Sequence, residues 1–220
     1  MDNIHDISTT IPTKEDLEQA LVQRVGAEVQ GKLSRATVAV CGLGGLGSHI
    51  AVSLARAGVG TLILVDFDRV DITNLNRQQY KASQLGQEKP QALAENLREI
   101  NPYLRYVPRT ARITEENLWQ LVGEADVICE ALDRADQKSM LVNAVLEQLP
   151  GTPLVAASGM AGLGSGNAIR TRRITDRFYL CGDGVSDVET LGSLFAPRVM
   201  LCAAHQALTV LQLLTGQVEI

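Results

Sequence analysis

Short uninterrupted apolar runs alternate along the chain with longer amphipathic stretches, and this alternation predicts strands and helices in turn. The run "TVAVC" reads as a buried strand of the parallel type; it passes through "GLGGLG" into the helical stretch "GSHIAVSLARAG", which stops at Gly58. "TLILVDFD" predicts a second strand. In "EKPQALAENLREINP", Ala92, Leu93, Leu97 and Ile100 recur at helical spacing, the helix ends at Asn-Pro, and "LRYVPRT" follows as a shorter strand. "TEENLWQLVG" then predicts a helix, "ADVICEAL" a strand, "RADQKSMLVNAVLEQL" a helix and "TPLVAASG" a strand. The expected architecture is α/β: a Rossmann-like three-layer fold, with helices on both faces of a mostly parallel sheet.

The two ends depart from this rhythm. Residues 1–11 are polar and expected to be loose. Pro12, Thr13 and Asp16 then form a helix entry with capping-box spacing, and the helix should run to about Lys32 with a break at Gly26. After Gly159 the glycine-rich "GMAGLGSGN" reads as a connecting loop. "AIRTRRIT" and "RFYLC" read as two strands with no helix between them, which predicts an antiparallel C-terminal extension. A further loop, "GDGVSDVETLGS", leads to "APRVMLCAAHQALTVLQLLTG", whose continuous apolar character predicts a helix buried against the sheet or against another subunit.

Composition narrows the function classes. At 220 residues and 45% hydrophobic content the chain can bury one good core, and it is read as one domain. A net charge of -5 argues against a nucleic-acid or anionic-membrane partner, which would need clustered Lys and Arg. Cys41, Cys129, Cys181 and Cys202 are widely spaced and form no CxxC pair, so neither a disulfide framework nor a zinc site is signalled. With no basic leader and no apolar run of ~18 residues, a soluble cytoplasmic protein is expected.

"GLGGLG" places Gly42, Gly44 and Gly47 at G-x-G-x-x-G spacing between a strand and a helix, with Asp66 closing the next strand. Such a turn lets phosphate approach the backbone at a helix N-terminus while the acid accepts from ribose hydroxyls, so an adenine nucleotide is indicated. Ser48 stands where a Walker lysine would be, which removes the P-loop class. The glycines alone also fit an NAD(P)-dependent oxidoreductase. What they leave unexplained is "DITNLNRQQY", which sets Asn74, Asn76, Arg77 and Gln78 just beyond Asp66. Arg77, together with Lys89 of "GQEKP", could neutralise a β,γ-diphosphate. Asp133 of "ICEALD" falls at a strand's C-terminal end, where it could hold Mg²⁺ between phosphates or cap the following helix. This is equipment for a triphosphate.

In "GLGGLGSHIA", "LVDFDRVDITNLNRQQY", "GQEKP" and "EALDRADQK" the chain resembles the ThiF/MoeB/HesA group of ubiquitin-activating-like adenylyltransferases. "APRV" and "AHQA" near the C-terminus make it most similar to the short ThiF-type members. The resemblance implies a single adenylyltransferase domain over 1–220, divided into an N-terminal helical segment 1–33, a nucleotide-binding core 36–158 and a C-terminal extension 159–220. It implies ATP-dependent adenylation of the C-terminal Gly-Gly carboxylate of a small ubiquitin-like sulfur carrier such as ThiS, with release of pyrophosphate. Thiamine thiazole synthesis would be the pathway, with a molybdopterin-type carrier as the alternative. Activation of a carboxylate on modified RNA is a further possibility within the group, one that the acidic composition does not encourage.

By motif position, Asp66 corresponds to the ribose acid, Arg77 and Lys89 to the phosphate-binding pair, and Asp133 to the catalytic, magnesium-associated acid. Gly42, Gly44, Gly45, Gly47, Asp68, Asn74, Asn76 and Gln78 complete the implied nucleotide set. Arg24 would be donated across a homodimer interface. Three departures stand out: the two zinc-binding CxxC pairs of many relatives are absent, so no zinc is expected; Arg134 follows Asp133 where many relatives have asparagine; and no cysteine is marked for sulfur handling. Cys181 could carry an acyl group or persulfide, although a small apolar residue ending a strand is the simpler reading. His49 and His205 are read as structural.

Overall fold

The computed structural model describes residues 11–219; of the polar stretch 1–11 all but Ile11 therefore lies outside the described residues. Helix α1 (Lys14–Val25) opens on the expected capping box: the Thr13 hydroxyl accepts from the Asp16 amide at 3.1 Å, and the Asp16 carboxylate accepts from the Thr13 amide at 3.1 Å. Gly26, at φ 86°, turns the chain into α2 (Ala27–Leu33). The repeating units follow as β1 (Thr37–Cys41), α3 (Gly45–Arg56), β2 (Thr61–Asp66), α4 (Lys89–Ile100), β3 (Arg105–Thr110), α5 (Leu118–Val122), β4 (Val127–Glu130), α6 (Ala135–Gln148) and β5 (Leu154–Ala157). The C-terminal part comprises β6 (Arg170–Arg173), β7 (Phe178–Gly182), the single turn α7 (Val188–Leu191) and α8 (Ala196–Thr215).

The strands form one sheet in the order β3-β2-β1-β4-β5-β7-β6. β1, β2 and β4 bury both faces. Val38, Val40, Leu62 and Leu64 point to the layer of α2, α3, α4 and α8, whereas Ala39, Cys41, Ile63 and Val65 point to α5 and α6. This two-sided burial is why the strands read as continuous apolar runs rather than alternating ones. The chain builds outward from β1 through β2 to β3, then crosses back to place β4 on the other side of β1. The loops leaving β1 and β4 therefore diverge, and a crevice opens between them.

The expected antiparallel extension is present as the β6–β7 pair, and three details refine the sequence expectation. β7 runs parallel to β5, so the antiparallel part of the extension is confined to the β6–β7 pair. The chain reaches the outer edge first and inserts β7 on its return. α5 is shorter than the apolar spacing of "TEENLWQLVG" suggests, because the Asn117 side chain accepts from the Thr114 amide at 2.8 Å and holds those residues in a turn. The segment "GDGVSDVETLGS" contains α7, capped by Asp187.

Helix α8 packs on the chain's own sheet. Its fully buried Gln206 binds the ends of two strands, donating to the Glu130 carbonyl at 2.9 Å and the Val155 carbonyl at 3.2 Å. Near its start, Arg198 forms a buried ion pair with Asp183 at 2.5 Å and also donates to the carbonyls of Gly164 and Ser165, stapling two loops to the helix. Burial alone would raise the Asp183 carboxyl, but the amides of Ser186 and Val185, the Ser186 hydroxyl and Arg198 bring it down to about 2. The staple is therefore complete above the ordinary aspartate value of 3.8 and is lost as pH falls through about 2. Asp183→Asn is expected to lower stability by about 2 kcal/mol at neutral pH, less than a complete buried-pair rupture because Arg198 keeps two carbonyl partners. Denaturant melts should show the difference from wild type shrinking between pH 4 and 2 (approximate bounds set by the same carboxyl). Among the described residues no helix is long and apolar enough to cross a membrane.

Candidate active site

A cleft of about 1190 Å³ opens at the C-terminal edge of the sheet where β1 and β4 part. Its floor is the glycine turn. Gly42, at φ 90°, passes so close to the β4 exit that a Cβ there would sit 2.7 Å from the Ala131 carbonyl oxygen. Gly44 and Gly45 face the cleft, and α3 begins at Gly45 with no side-chain cap on its first-turn amides. Gly47 lies beneath the turn: a Cβ on it would come within 1.8 Å of the Gly42 carbonyl, so this glycine serves helix-on-strand packing and does not line the cavity.

Asp66 joins this floor to the next loop. One carboxylate oxygen accepts from the Leu43 amide at 2.6 Å and the other from the Asp68 amide at 2.8 Å. Burial pushes its carboxyl up, against the opposing pull of Lys89 and the two amides. Lys89, the first residue of α4, is itself buried, and its ammonium sits 2.9 Å from Asp68.

The polar stretch 71–80 folds over α3 as a sequence of tight turns. Asp71 caps Thr73, and the Asn74 amide oxygen accepts from the Asp71 amide, so Asn74 lines the cleft with a side chain already used in the turn. Arg77 donates to the Thr73 carbonyl at 3.0 Å and to the Asn76 amide oxygen at 2.9 Å, while its buried Nε has no partner. Gln78 is buried, lines the cleft, and its Oε1 is likewise unpartnered. Behind them, His49 Nε2 lies 3.2 Å from the Arg77 carbonyl, and its Nδ1 lies 3.0 Å from the Gln79 amide nitrogen. A carbonyl can only accept, so Nε2 carries the proton and Nδ1 accepts from Gln79. Burial lowers the ring's basicity, in keeping with this neutral form.

The stretch ends at Tyr80, whose buried hydroxyl donates to the Leu43 carbonyl at 2.8 Å, directly beneath the glycine turn. Tyr80→Phe would leave that carbonyl buried without a donor. The expected cost is about 1.5 kcal/mol, with faster amide exchange across 71–80 as its local signature.

Asp133 stands exposed on the opposite wall. The helix-capping reading fails for it: Arg134 occupies the N-cap of α6 and makes no side-chain cap bond there. What positions the Asp133 loop is Glu130, fully buried at the end of β4. Its carboxylate accepts from the Leu132 amide at 2.7 Å and from the Lys138 ammonium at 2.8 Å. Sequence reasoning passed over Glu130 and Lys138; the available signal was a charged residue closing an otherwise apolar strand. It also passed over Arg112, whose guanidinium lies 4.6 Å from the Phe67 ring centre and forms another wall of the cleft with it.

One cleft thus brings together Gly42, Gly44, Gly45, Asp66, Asp68, Asn74, Arg77, Gln78, Lys89 and Asp133. Asn76 does not join them; it is exposed and serves as an acceptor for Arg77. Arg24, in the last turn of α1, is exposed and outside the cleft of its own chain. All four cysteines are buried, and burial pushes the thiols of Cys41, Cys129, Cys181 and Cys202 up, away from the thiolate form that sulfur chemistry needs.

Comparison with known proteins adds an independent line. The chain is 32% identical over 204 residues to the sulfur carrier protein ThiS adenylyltransferase of Escherichia coli, covering 90% of this chain and 80% of that one. It is 38% identical over 143 residues to the adenylyltransferase and sulfurtransferase uba4 of Aspergillus terreus, covering 64% of this chain but 29% of that protein. The chain thus spans less than a third of the length of such longer relatives. Among solved structures, the E. coli tRNA N6-threonylcarbamoyladenosine dehydratase TcdA in complex with AMP superposes with a TM-score of 0.83 at 20% identity, over 95% of this chain and 99% of that one. E. coli MccB with ATP gives 0.70 at 23% identity, over 88% and 60%. The ThiF family model matches residues 17–220. With that match spanning both walls of the cleft, the chain belongs to the ThiF family.

Proposed function

We propose that the chain binds ATP in this cleft and adenylates the C-terminal carboxylate of a small ubiquitin-like sulfur carrier ending in Gly-Gly, releasing pyrophosphate. The observation that carries the reading is that Arg77, Lys89 and Asp133, from three separate segments of the chain, line one cavity floored by a glycine turn. The unpartnered Arg77 Nε and Gln78 Oε1 are the orphaned polar atoms a bound nucleotide would satisfy. Support also comes from relatives: proteins named for sulfur-carrier adenylation are 32% and 35% identical to this chain over 204 and 148 residues, and proteins of the same fold have been captured with AMP and ATP. Longer relatives of the uba4 kind match as well as the ThiS enzyme does, so the proposal concerns this class of carrier rather than the thiazole pathway.

The chemistry asks little of the protein by way of proton transfer. A carboxylate is ionised at neutral pH and attacks the α-phosphorus directly; the bond to the bridging oxygen breaks and pyrophosphate leaves with its electron pair. The protein's task is alignment and cancellation of charge repulsion. In this reading Asp66 and the α3 amides hold the ribose and α-phosphate, and Arg77 and Lys89 face the leaving diphosphate. Asp68 gives up its pair with Lys89 as the polyphosphate arrives. Among the described residues no three His, Cys, Asp or Glu gather into a metal site. A divalent ion would rest on Asp133, phosphate oxygens and water, the usual donor set of Mg²⁺, and would screen the polyphosphate charge. In a homodimer Arg24 would act on the neighbouring cleft.

The test is ATP/pyrophosphate exchange with the purified chain and Gly-Gly-ended carriers of its host. Carrier-dependent exchange that disappears when the terminal glycine is removed is the expected result; nucleotide binding with no exchange for any such carrier would sink the proposal.

A further inference from the structure

A second cavity, of about 470 Å³, adjoins the nucleotide cleft and shares the walls formed by Ala161 and Ser186 with it. Its charged lining is Arg170, Arg172, Arg198 and Asp183. The buried pair of Arg198 and Asp183 is neutral as a unit, and the Arg198 Nε remains buried without a partner. Arg170 and Arg172 are different. They lie two apart on the edge strand β6, so their side chains share one face, while Thr171 between them turns the other way to meet His205 of α8 at 3.1 Å. Arg172 reaches toward Gly184, where a Cβ would come within 2.6 Å of its guanidinium. Among the described residues neither arginine is in an ion pair, in a chain whose net charge is -5. Both are exposed and lie beside the buried Arg198–Asp183 pair, so an anionic group can reach them without displacing a protein partner.

Topology says from which side that anion comes. The residues assigned above to ribose and leaving phosphates follow β2, whereas the arginine cavity belongs to the loops of β5, β6 and β7. β2 and β5 are separated by β1 and β4, a distance of roughly 14 Å at ordinary strand spacing. The cavity thus lies beside the cleft on the side away from Arg77 and Lys89.

We infer that the Arg170–Arg172 cavity is the docking subsite for acidic side chains of the carrier, in the polypeptide segment that precedes its Gly-Gly end. This rests on the adenylation reading, which it extends from the reacting carboxylate to the selection of the partner. Polypeptide carboxylates fit the arrangement better than free phosphate does, because the cavity adjoins the cleft in which the carrier's terminal carboxylate would react.

The probe is a pair of fluorescent synthetic peptides ending in Gly-Gly, one with glutamates just upstream and one with glutamines there, titrated into the full chain with a non-hydrolysable ATP analogue. The glutamate peptide should bind about tenfold more tightly, and added salt should narrow the gap. The preference should disappear in the R170E/R172E and R170Q/R172Q variants while ATP-analogue affinity by calorimetry stays at the wild-type value, which also reports an intact fold. Equal binding of the two peptides by wild type overturns the inference, as does a preference that survives both double variants. So does displacement of the glutamate peptide by inorganic pyrophosphate alone or, preferentially, by a short RNA. Failure of carrier-dependent pyrophosphate exchange alongside an arginine-dependent glutamate preference would instead strike the adenylation reading and leave the acidic-peptide subsite standing.

Discussion

Asp133→Ala is expected to lower carrier-dependent ATP/pyrophosphate exchange about a hundredfold, the loss of about 3 kcal/mol of transition-state stabilisation usual for one preorganised charge contact. The thermal midpoint should stay within a degree or so of wild type, as surface substitutions generally do. Asp133 is exposed at the cleft wall, leaves the cap of α6 to Arg134, and takes no part in the Glu130–Lys138 brace that holds its loop. Activity and stability therefore separate at this residue. They do not separate next door: Glu130→Ala would remove the acceptor of the Leu132 amide and the partner of Lys138 together, so both readouts would fall. Measuring exchange and melting on the same two preparations distinguishes a group acting on the substrate from one that positions it. An Asp133→Ala protein with undiminished exchange would remove this carboxylate from the mechanism.

The parts of this cleft that could be read in the sequence are those fixed by local rules. The glycine turn follows from its spacing between an apolar strand and a helix, Asp66 from its place at the end of β2, Lys89 from its place at the start of α4, and Asp133 from its place beyond the end of β4 at the ligand-binding edge of an open sheet. Within 71–80 no such rule operates. The segment has neither the period of a strand nor that of a helix, so the sequence could not tell that Gln78 turns inward while Asn76 turns to solvent, or that the Asn74 amide closes a turn on Asp71. Part of the polarity in that stretch is structural: Asn74 and Gln79 hold the turns and the His49 ring, and Tyr80 ties the end to Leu43. Long-range pairings were equally out of reach. The brace between Glu130 and Lys138 needs α6 to fold back over the end of β4. The direction of β7 depends on where the chain re-enters the sheet, and the arginines of β6 become a cavity wall only once α8 brings Arg198 beside them.

The second large effect is expected at Lys89. Substitution by methionine preserves most of the buried stem and removes the charge, and kcat/KM for ATP should fall by about a hundredfold or more. Two costs combine. The polyphosphate loses a cation that Arg77 alone cannot replace, and the cleft floor is left with Asp66 and Asp68 side by side and no ammonium between them and the incoming anion. The same substitution has a signature in pH. The Asp66 carboxyl is already raised by burial, and Lys89 is the largest influence holding it down. Without Lys89 it rises further, so the folded state holds a proton that the unfolded chain has released. Stability then falls as pH increases from the ordinary aspartate value of 3.8 through the raised Asp66 value, the reverse of the dependence contributed by Asp183. Denaturant melts of Lys89→Met against wild type should show a deficit that is smallest in mild acid and largest at neutral pH, with the ATP defect present at neutral pH. A deficit independent of pH would mean that Asp66 does not sense Lys89. An unchanged kcat/KM for ATP would mean that the ammonium, although it faces the cleft, does no electrostatic work on the nucleotide.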